Sequence, residues 1–143
     1  MNNLKLPNPK MMDVAIPANV HVGLAQEEVA RRGWAVTPEQ ALSFLGRSEV
    51  ALIDLREGKE RDKRGTIPGA LHAPYRDLRA NVSKGGMVYE LAAATSKRVV
   101  FYCAYGERSA MAVQAAQAAG ITSACHIQGG LDAWAKASGP VTQ

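Results

Sequence analysis

Two short apolar runs constrain the fold more than any other feature of this chain. Val50–Leu55 and Val99–Tyr102 are continuous stretches of β character, which is typical of strands buried on both faces of a sheet. Shorter strands are predicted at residues 34–36, 70–73 and 124–128, with helical segments between them. Strands that alternate with helices along the chain predict an α/β fold with a parallel sheet that is covered on both faces.

The helical segments have their own boundary signals. Thr37, Pro38 and Gln40 have the pattern of an N-cap, a first-turn proline and a capping box, so a helix is expected to begin there. Helices are also predicted at residues 24–32, 87–95, 109–119 and 131–137, with one helical turn at 76–81. The charged run Arg56–Arg64 holds five basic and three acidic residues and is predicted to be a solvated loop.

The 143 residues are expected to form one domain. Residues 1–32 are interpreted as an N-terminal tail or strap with a short helix, because the first 20 residues contain three prolines and show no steady period. The domain itself is predicted to span residues 33–140. The net charge of +4 permits acidic partners without requiring them.

Composition also argues against several partners and locations. Aromatic residues make up 6% of the chain and none is interleaved among basic residues, so no nucleic-acid partner is expected. No run of 18 consecutive apolar residues is present, so no membrane partner is expected. The N-terminus lacks the apolar core of a secretory signal, and a cytoplasmic location is therefore predicted.

A cysteine at the end of the central predicted strand is the candidate nucleophile. Cys103 directly follows Val99–Tyr102, and a short loop leads from it into a helix. Consecutive loop N–H groups and a helix N-terminus can converge on one anion, and only about 3% of a free thiol is ionised at pH 7 without such help. Cys125 lies inside a predicted strand and is interpreted as a packed, inert thiol. Parallel neighbouring strands would place the two thiols on the order of 13 Å apart, too far for a disulfide.

Four motifs in the chain resemble those of the rhodanese-like domains, the sulfurtransferases. Cys103–Ser109 matches the active-site loop pattern C-x-x-G-x-[RS]-S, and Ala51–Arg56 is similar to the D-x-R strand of the family. Gly65–Ala70 resembles the G-H-I-P-G-A turn, and Gly129–Trp134 resembles the closing G-G-x-x-x-W. They occur in the family's order over roughly residues 33–140. The resemblance implies a central five-stranded parallel sheet flanked by helices on both faces.

The resemblance also implies a site and a reaction. Cys103 would be the nucleophile that receives a sulfane sulfur as a persulfide, and Arg108 would help to stabilise the anion and orient the loop. The other active-site loop residues would be Ala104, Tyr105, Gly106, Glu107 and Ser109. Asp54 and Arg56 are interpreted as an ion pair or hydrogen-bond network that supports the loop. The expected partners are a small-molecule sulfur donor and a thiol or cyanide acceptor, with a protein thiol as another possible acceptor; no cofactor and no metal are implied.

Other functions remain open on the sequence alone. Phosphatase or arsenate reductase chemistry is the less favoured alternative. Cysteine-dependent phosphatases have five residues between cysteine and arginine, whereas four separate Cys103 from Arg108, and Glu107 would repel a dianion. A persulfide-carrying or redox-sensing interaction module with little turnover is the second alternative. Thr66 occupies the position where the family usually has histidine. His21, His72 and His126 have no metal-ligand spacing and are interpreted as packed or surface residues.

Overall fold

A computed structural model describes residues 23–143, so the tail expected before residue 23, with His21, lies outside the described residues. Within this range five strands form a single sheet in the order β1-β5-β4-β2-β3. Their bounds are β1 Ala35–Val36, β2 Val50–Asp54, β3 Leu71–His72, β4 Arg98–Tyr102 and β5 Cys125–Ile127. Every pair of neighbours runs parallel. The predicted α/β class and the five-stranded parallel sheet are confirmed.

Seven α-helices alternate with these strands over residues 23–143. They are α1 Gly23–Arg31, α2 Pro38–Leu42, α3 Gly58–Arg64, α4 Leu78–Val82, α5 Met87–Thr95, α6 Glu107–Ala118 and α7 Gly130–Lys136, and a 3-10 turn at Tyr75–Asp77 precedes α4. The capping box of α2 is confirmed: the amide of Gln40 donates to Thr37 Oγ1 at 3.1 Å, and the amide of Thr37 donates to Gln40 Oε1 at 2.8 Å.

The sheet separates two apolar clusters because successive side chains of each strand point to opposite faces. Val99 and Phe101 of β4 lie in one cluster, whereas Val100 and Tyr102 lie in the other. The first cluster includes residues of α1, α4, α5 and α6, and the second includes Trp134 of α7. Helix α1 packs against α6. The helix predicted within the N-terminal segment therefore packs onto the domain, and the boundary at residue 33 stays a prediction.

The charged run Arg56–Arg64 is mostly helical, and its prediction as a loop was wrong. Glu57 is the N-cap of α3 and forms a capping box with Glu60, in which the Glu57 amide donates to Glu60 Oε1 at 2.8 Å. None of the residues of α3 is buried, so charged side chains can occupy every face of the helix. Capping and ion pairs to other elements fix this helix, and neither leaves an apolar period in the sequence.

Candidate active site

The sulfur of Cys103 lies at the carboxyl edge of the sheet, where ligands bind in parallel α/β folds. Cys103 directly follows β4, and α6 begins at Glu107, two residues earlier than predicted. The amides of Gly106 and Ser109 donate to Cys103 Sγ at 3.1 and 3.4 Å. Gly106 has a φ of 104°, a left-handed conformation that favours glycine, and it is the N-cap of α6. The loop therefore directs two N–H groups and the N-terminus of a 12-residue helix at the sulfur.

The thiol is covered by neighbouring side chains. Cys103 is 0% exposed, and its Sγ lies 3.8 Å from Glu107 Oε1 and 3.6 Å from Ser109 Oγ. Burial raises the pKa of the Tyr75 hydroxyl, just before α4, and the charge of an ionised Cys103 adds to this increase. A small molecule therefore reaches Sγ only after a covering side chain moves.

The glycine pair Gly129–Gly130 allows α7 to hold the backbone of the loop. The amide of Leu131 donates to Cys103 O at 2.8 Å, and the amide of Asp132 donates to Ala104 O at 3.0 Å. A Cβ on Gly130 would lie 2.5 Å from Cys103 O, so only glycine permits this approach. The G-G-x-x-x-W motif thus contacts the loop directly, while its Trp134 is buried in the core.

Arg108 is already paired with a carboxylate. Its Nη1 and Nη2 donate to the two oxygens of Glu60 at 2.9 and 2.8 Å, a bidentate pair that joins α6 to α3. The Arg108 guanidinium lowers the pKa of Glu60 to about 2, and Glu60 raises the pKa of Arg108. Sequence reasoning missed Glu60 because it lies in the run predicted as a solvated loop. Stabilisation of an anion by Arg108 stays a prediction.

Asp54 and Arg56 form the expected ion pair beneath the site, and both are 0% exposed. Arg56 Nε and Nη2 donate to the carboxylate of Asp54 at 3.0 and 2.8 Å, and Nη2 also donates to Gly65 O at 2.6 Å. The hydroxyl of Tyr102 donates to Asp54 at 2.8 Å and accepts from the amide of Ile67 at 3.1 Å. Burial raises the pKa of Tyr102, so this hydroxyl stays protonated. The network ties the end of β2 to the turn at Gly65–Ala70.

A cavity of about 460 Å³ lies beside the loop. Tyr105, which is 51% exposed, forms part of its wall together with Ala104. The other lining residues are Arg56, Glu60, Lys63, Arg64, Leu131, Asp132, Ala135, Val141 and Gln143. The lining thus combines apolar surface from α7 with basic side chains from α3.

Two of the histidines and Thr66 lie among the described residues. His72 Nε2 lies 2.7 Å from Arg56 O, and His126 is buried with its Nδ1 2.7 Å from Ser109 Oγ. Both are packed residues, as predicted. Thr66 forms an antiparallel bridge with Thr142, so the family's usual histidine position here contacts the C-terminal residues.

No cluster of three or more histidine, cysteine, aspartate or glutamate side chains suited to a metal ion occurs within residues 23–143. In the same part of the chain no helix has the length and apolar character needed to cross a membrane. Both described cysteines are free.

The class of this protein is that of a parallel α/β domain in which the central strand ends at a cysteine and an amide-lined loop leads from it into a helix. The family model of the rhodanese-like domain matches residues 37–137, and the chain belongs to this family.

Comparisons with individual proteins agree with this membership. The chain is 36% identical over 113 residues to the probable adenylyltransferase/sulfurtransferase MoeZ of Mycobacterium tuberculosis. The matched region covers 78% of this chain and only 27% of that protein. It is 30% identical over 98 residues to the human thiosulfate:glutathione sulfurtransferase, with 64% and 84% of the two chains covered. A solved structure from Rhodopseudomonas palustris superposes on this chain with a TM-score of 0.76 and 28% sequence identity, and the match covers 90% of this chain and 99% of the other. That protein is of unknown function and is described as a possible tyrosine phosphatase.

Proposed function

We propose that this protein is a sulfurtransferase that moves a sulfane sulfur from thiosulfate or a persulfide donor to a thiol or cyanide through a persulfide on Cys103. The observation that supports this most directly is the pair of amides, from Gly106 and Ser109, that donate to Cys103 Sγ at the N-terminus of α6. Such an arrangement stabilises the thiolate, which is the nucleophilic form of cysteine.

The reaction proceeds by two displacements at sulfur. The Cys103 thiolate attacks the sulfane sulfur of the donor, a new S–S bond forms, and the old S–S bond of thiosulfate breaks as sulfite leaves with the electron pair. An acceptor thiolate or cyanide then attacks the outer sulfur, and Cys103 leaves as a thiolate. The two steps return the cysteine to its starting state, so no external oxidant, reductant or cofactor is expected.

The neighbouring groups have separate roles in this scheme. The Gly106 and Ser109 amides hold the anionic sulfur, and Arg108, whose charge is matched by Glu60, orients the loop. The cavity beside Tyr105, which borders Ala104 next to the cysteine, is the place where this scheme puts the donor or acceptor before it reaches the sulfur. The name of the human relative pairs thiosulfate with glutathione. A cytoplasmic location is part of the proposal, since free thiols persist in a reducing compartment.

A persulfide-carrying module with little turnover is the second candidate. Full burial of Cys103 and the carboxylate of Glu107 at 3.8 Å from Sγ favour it, because both features hinder a small anion such as thiosulfate. A protein or low-molecular persulfide that displaces the Glu107 side chain would then be the donor.

Intact-protein mass spectrometry after treatment with thiosulfate tests the proposal. We expect a mass increase of one sulfur atom in the wild type and in Cys125→Ala, and none in Cys103→Ala. Rapid release of the sulfur to cyanide or glutathione identifies a turning-over enzyme, whereas a stable persulfide with a background rate identifies the module. Hydrolysis of an aryl phosphate by the wild type without any gain of sulfur would overturn both and favour phosphatase chemistry.

A further inference from the structure

A buried histidine lies behind the active-site loop. His126 is in β5 and is 1% exposed, and its Nδ1 lies 2.7 Å from Ser109 Oγ. Among the described residues its other ring nitrogen, Nε2, is buried without a hydrogen-bond partner. Buried polar atoms are nearly always hydrogen-bonded, and an apolar side chain would fill this strand position without that cost. The hydrogen bond between His126 Nδ1 and Ser109 Oγ is therefore the feature that would justify a histidine at this position.

Ser109 joins this histidine to the sulfur. Its Oγ lies 3.6 Å from Cys103 Sγ, 3.2 Å from Gly106 O and 2.7 Å from His126 Nδ1. A hydroxyl has one proton to donate, so it can serve only one of these three atoms well at a time. If Nδ1 accepts that proton, the sulfur loses it. If Nδ1 carries its own proton and donates to Oγ, the hydroxyl proton is left for Gly106 O or for Sγ, and an anionic sulfur attracts it more strongly than a neutral carbonyl does.

The unpartnered Nε2 indicates which of the two forms is present. Neutral imidazole has one protonated nitrogen, and a proton on Nε2 would leave a buried N–H without an acceptor. Orphaned buried N–H groups are rarer than orphaned acceptors, so the form with the proton on Nδ1 is favoured. Burial lowers the pKa of His126 to about 4, so the ring is neutral near pH 7 and adds no charge to the site.

We propose that His126 is a positioning residue for the sulfur site: its Nδ1–H donates to Ser109 Oγ and thereby directs the hydroxyl proton of Ser109 onto the anionic sulfur of Cys103. The sulfur then receives a third donor beside the amides of Gly106 and Ser109. This inference rests on the proposed function for its role in catalysis, but the hydrogen-bond relay itself is tested without any sulfur donor.

Other titratable groups face the same sulfur, so the test must leave them unchanged. They are Glu107 on α6, Tyr75 before α4, and Arg108, which is held by Glu60 of α3. We therefore follow the ultraviolet absorbance of the Cys103 thiolate against pH in a Cys125→Ala background and subtract the signal of the Cys103→Ala variant. Single replacements at His126 and Ser109 and their double replacement are compared in that background.

The relay makes distinct predictions for each variant. Ser109→Ala should raise the pH midpoint of thiolate formation by about 0.5–1 pH unit, as expected for the loss of one long hydrogen bond to a charged acceptor. His126→Leu removes the donor that orients Oγ, so the hydroxyl turns to Gly106 O at 3.2 Å. The midpoint should rise by a similar amount in the presence of Ser109 and by nothing further in Ser109→Ala. His126→Asn should restore the wild-type midpoint, because its amide N–H can occupy the place of Nδ1–H.

Any of three results would overturn the proposal. His126→Leu could still shift the midpoint in Ser109→Ala, either single variant could leave the midpoint unchanged, or His126→Asn could behave like His126→Leu. Circular dichroism monitors folding, and His126→Met replaces His126→Leu if the latter does not fold. Failure of the wild type to gain sulfur from both thiosulfate and a low-molecular persulfide would refute the proposed function and leave this comparison intact.

Discussion

Replacement of Gly130 by alanine tests whether the position of the loop backbone governs the reactivity of Cys103. Gly130 has a φ of +66°, and an added Cβ would lie 2.5 Å from Cys103 O and 2.6 Å from the carbonyl atoms of Ala104. Ordinary contact begins at 3.4 Å, so the loop backbone must move by about 0.9 Å. The left-handed conformation costs an alanine about 1–2 kcal/mol, and overpacking adds about 1–3 kcal/mol. We therefore expect the free energy of unfolding to fall by about 2–5 kcal/mol.

The displacement should also reduce reactivity, because a misplacement of about 1 Å at an active site can cost about 100-fold in rate. Gly33→Ala is the matched control: its φ is +77°, and nothing lies within 4 Å of its added Cβ. The control should lose only the conformational cost and should keep wild-type reactivity. The assays are urea unfolding, the rate of Cys103 alkylation by iodoacetamide, and the rate of sulfur loading, all in the folded protein. If Gly130→Ala matches Gly33→Ala in both stability and alkylation rate, the contact between α7 and the loop does not position the sulfur.

Two further predictions concern the charged network around the site. Asp54→Asn leaves the buried Arg56 without its carboxylate and should lower the free energy of unfolding by about 3–5 kcal/mol. The control Asp132→Asn removes only an exposed pair with Lys136 and should lower it by no more than about 1 kcal/mol. Equal losses in urea unfolding would show that the buried pair is not essential. Arg108 lowers the pKa of Glu60 from 4.5 to about 2, so the stabilisation by this pair is complete above about pH 5 and is lost as the pH falls towards 2. Solvent screens this part-exposed pair, so the free energy of unfolding of the wild type should exceed that of Glu60→Gln by about 1–2 kcal/mol at pH 7 and by nearly nothing at pH 2 in urea unfolding. A difference that does not depend on pH would contradict this account.

Local sequence patterns predicted the parts of the fold that depend on neighbours in the chain. Thr37, Pro38 and Gln40 interact within one helical turn, and the capping box formed as expected. The run Val99–Tyr102 is apolar throughout because both faces of β4 are covered, and the strand lies where that pattern placed it. The contacts of the capping box lie within four residues of the chain, and β4 is covered on both faces, so each element has a pattern that can be recognised in its own sequence.

The wrong prediction at Arg56–Arg64 shows where such reasoning stops. Helix α3 buries none of its side chains, so it leaves no apolar period, and its partners are remote: Glu60 pairs with Arg108, and Arg61 lies 3.3 Å from Asp54. His126 is a similar case, since the significance of a histidine in an apolar strand depends on Ser109, 17 residues earlier in the chain. Contacts between distant segments leave no mark on the local pattern.

The pairing of charges around the loop also bears on the chemistry that the site favours. Arg108 is matched by Glu60 and Arg56 by Asp54, while the carboxylate of Glu107 lies 3.8 Å from the sulfur. A phosphoryl dianion would need cations that are not already paired, and it would meet Glu107 at close range. A sulfur that carries a single negative charge needs less, and the amides of Gly106 and Ser109 with the N-terminus of α6 can supply it. The electrostatics therefore support the proposed persulfide over a phosphorylated cysteine, in a scheme where the main chain holds most of the anion's charge.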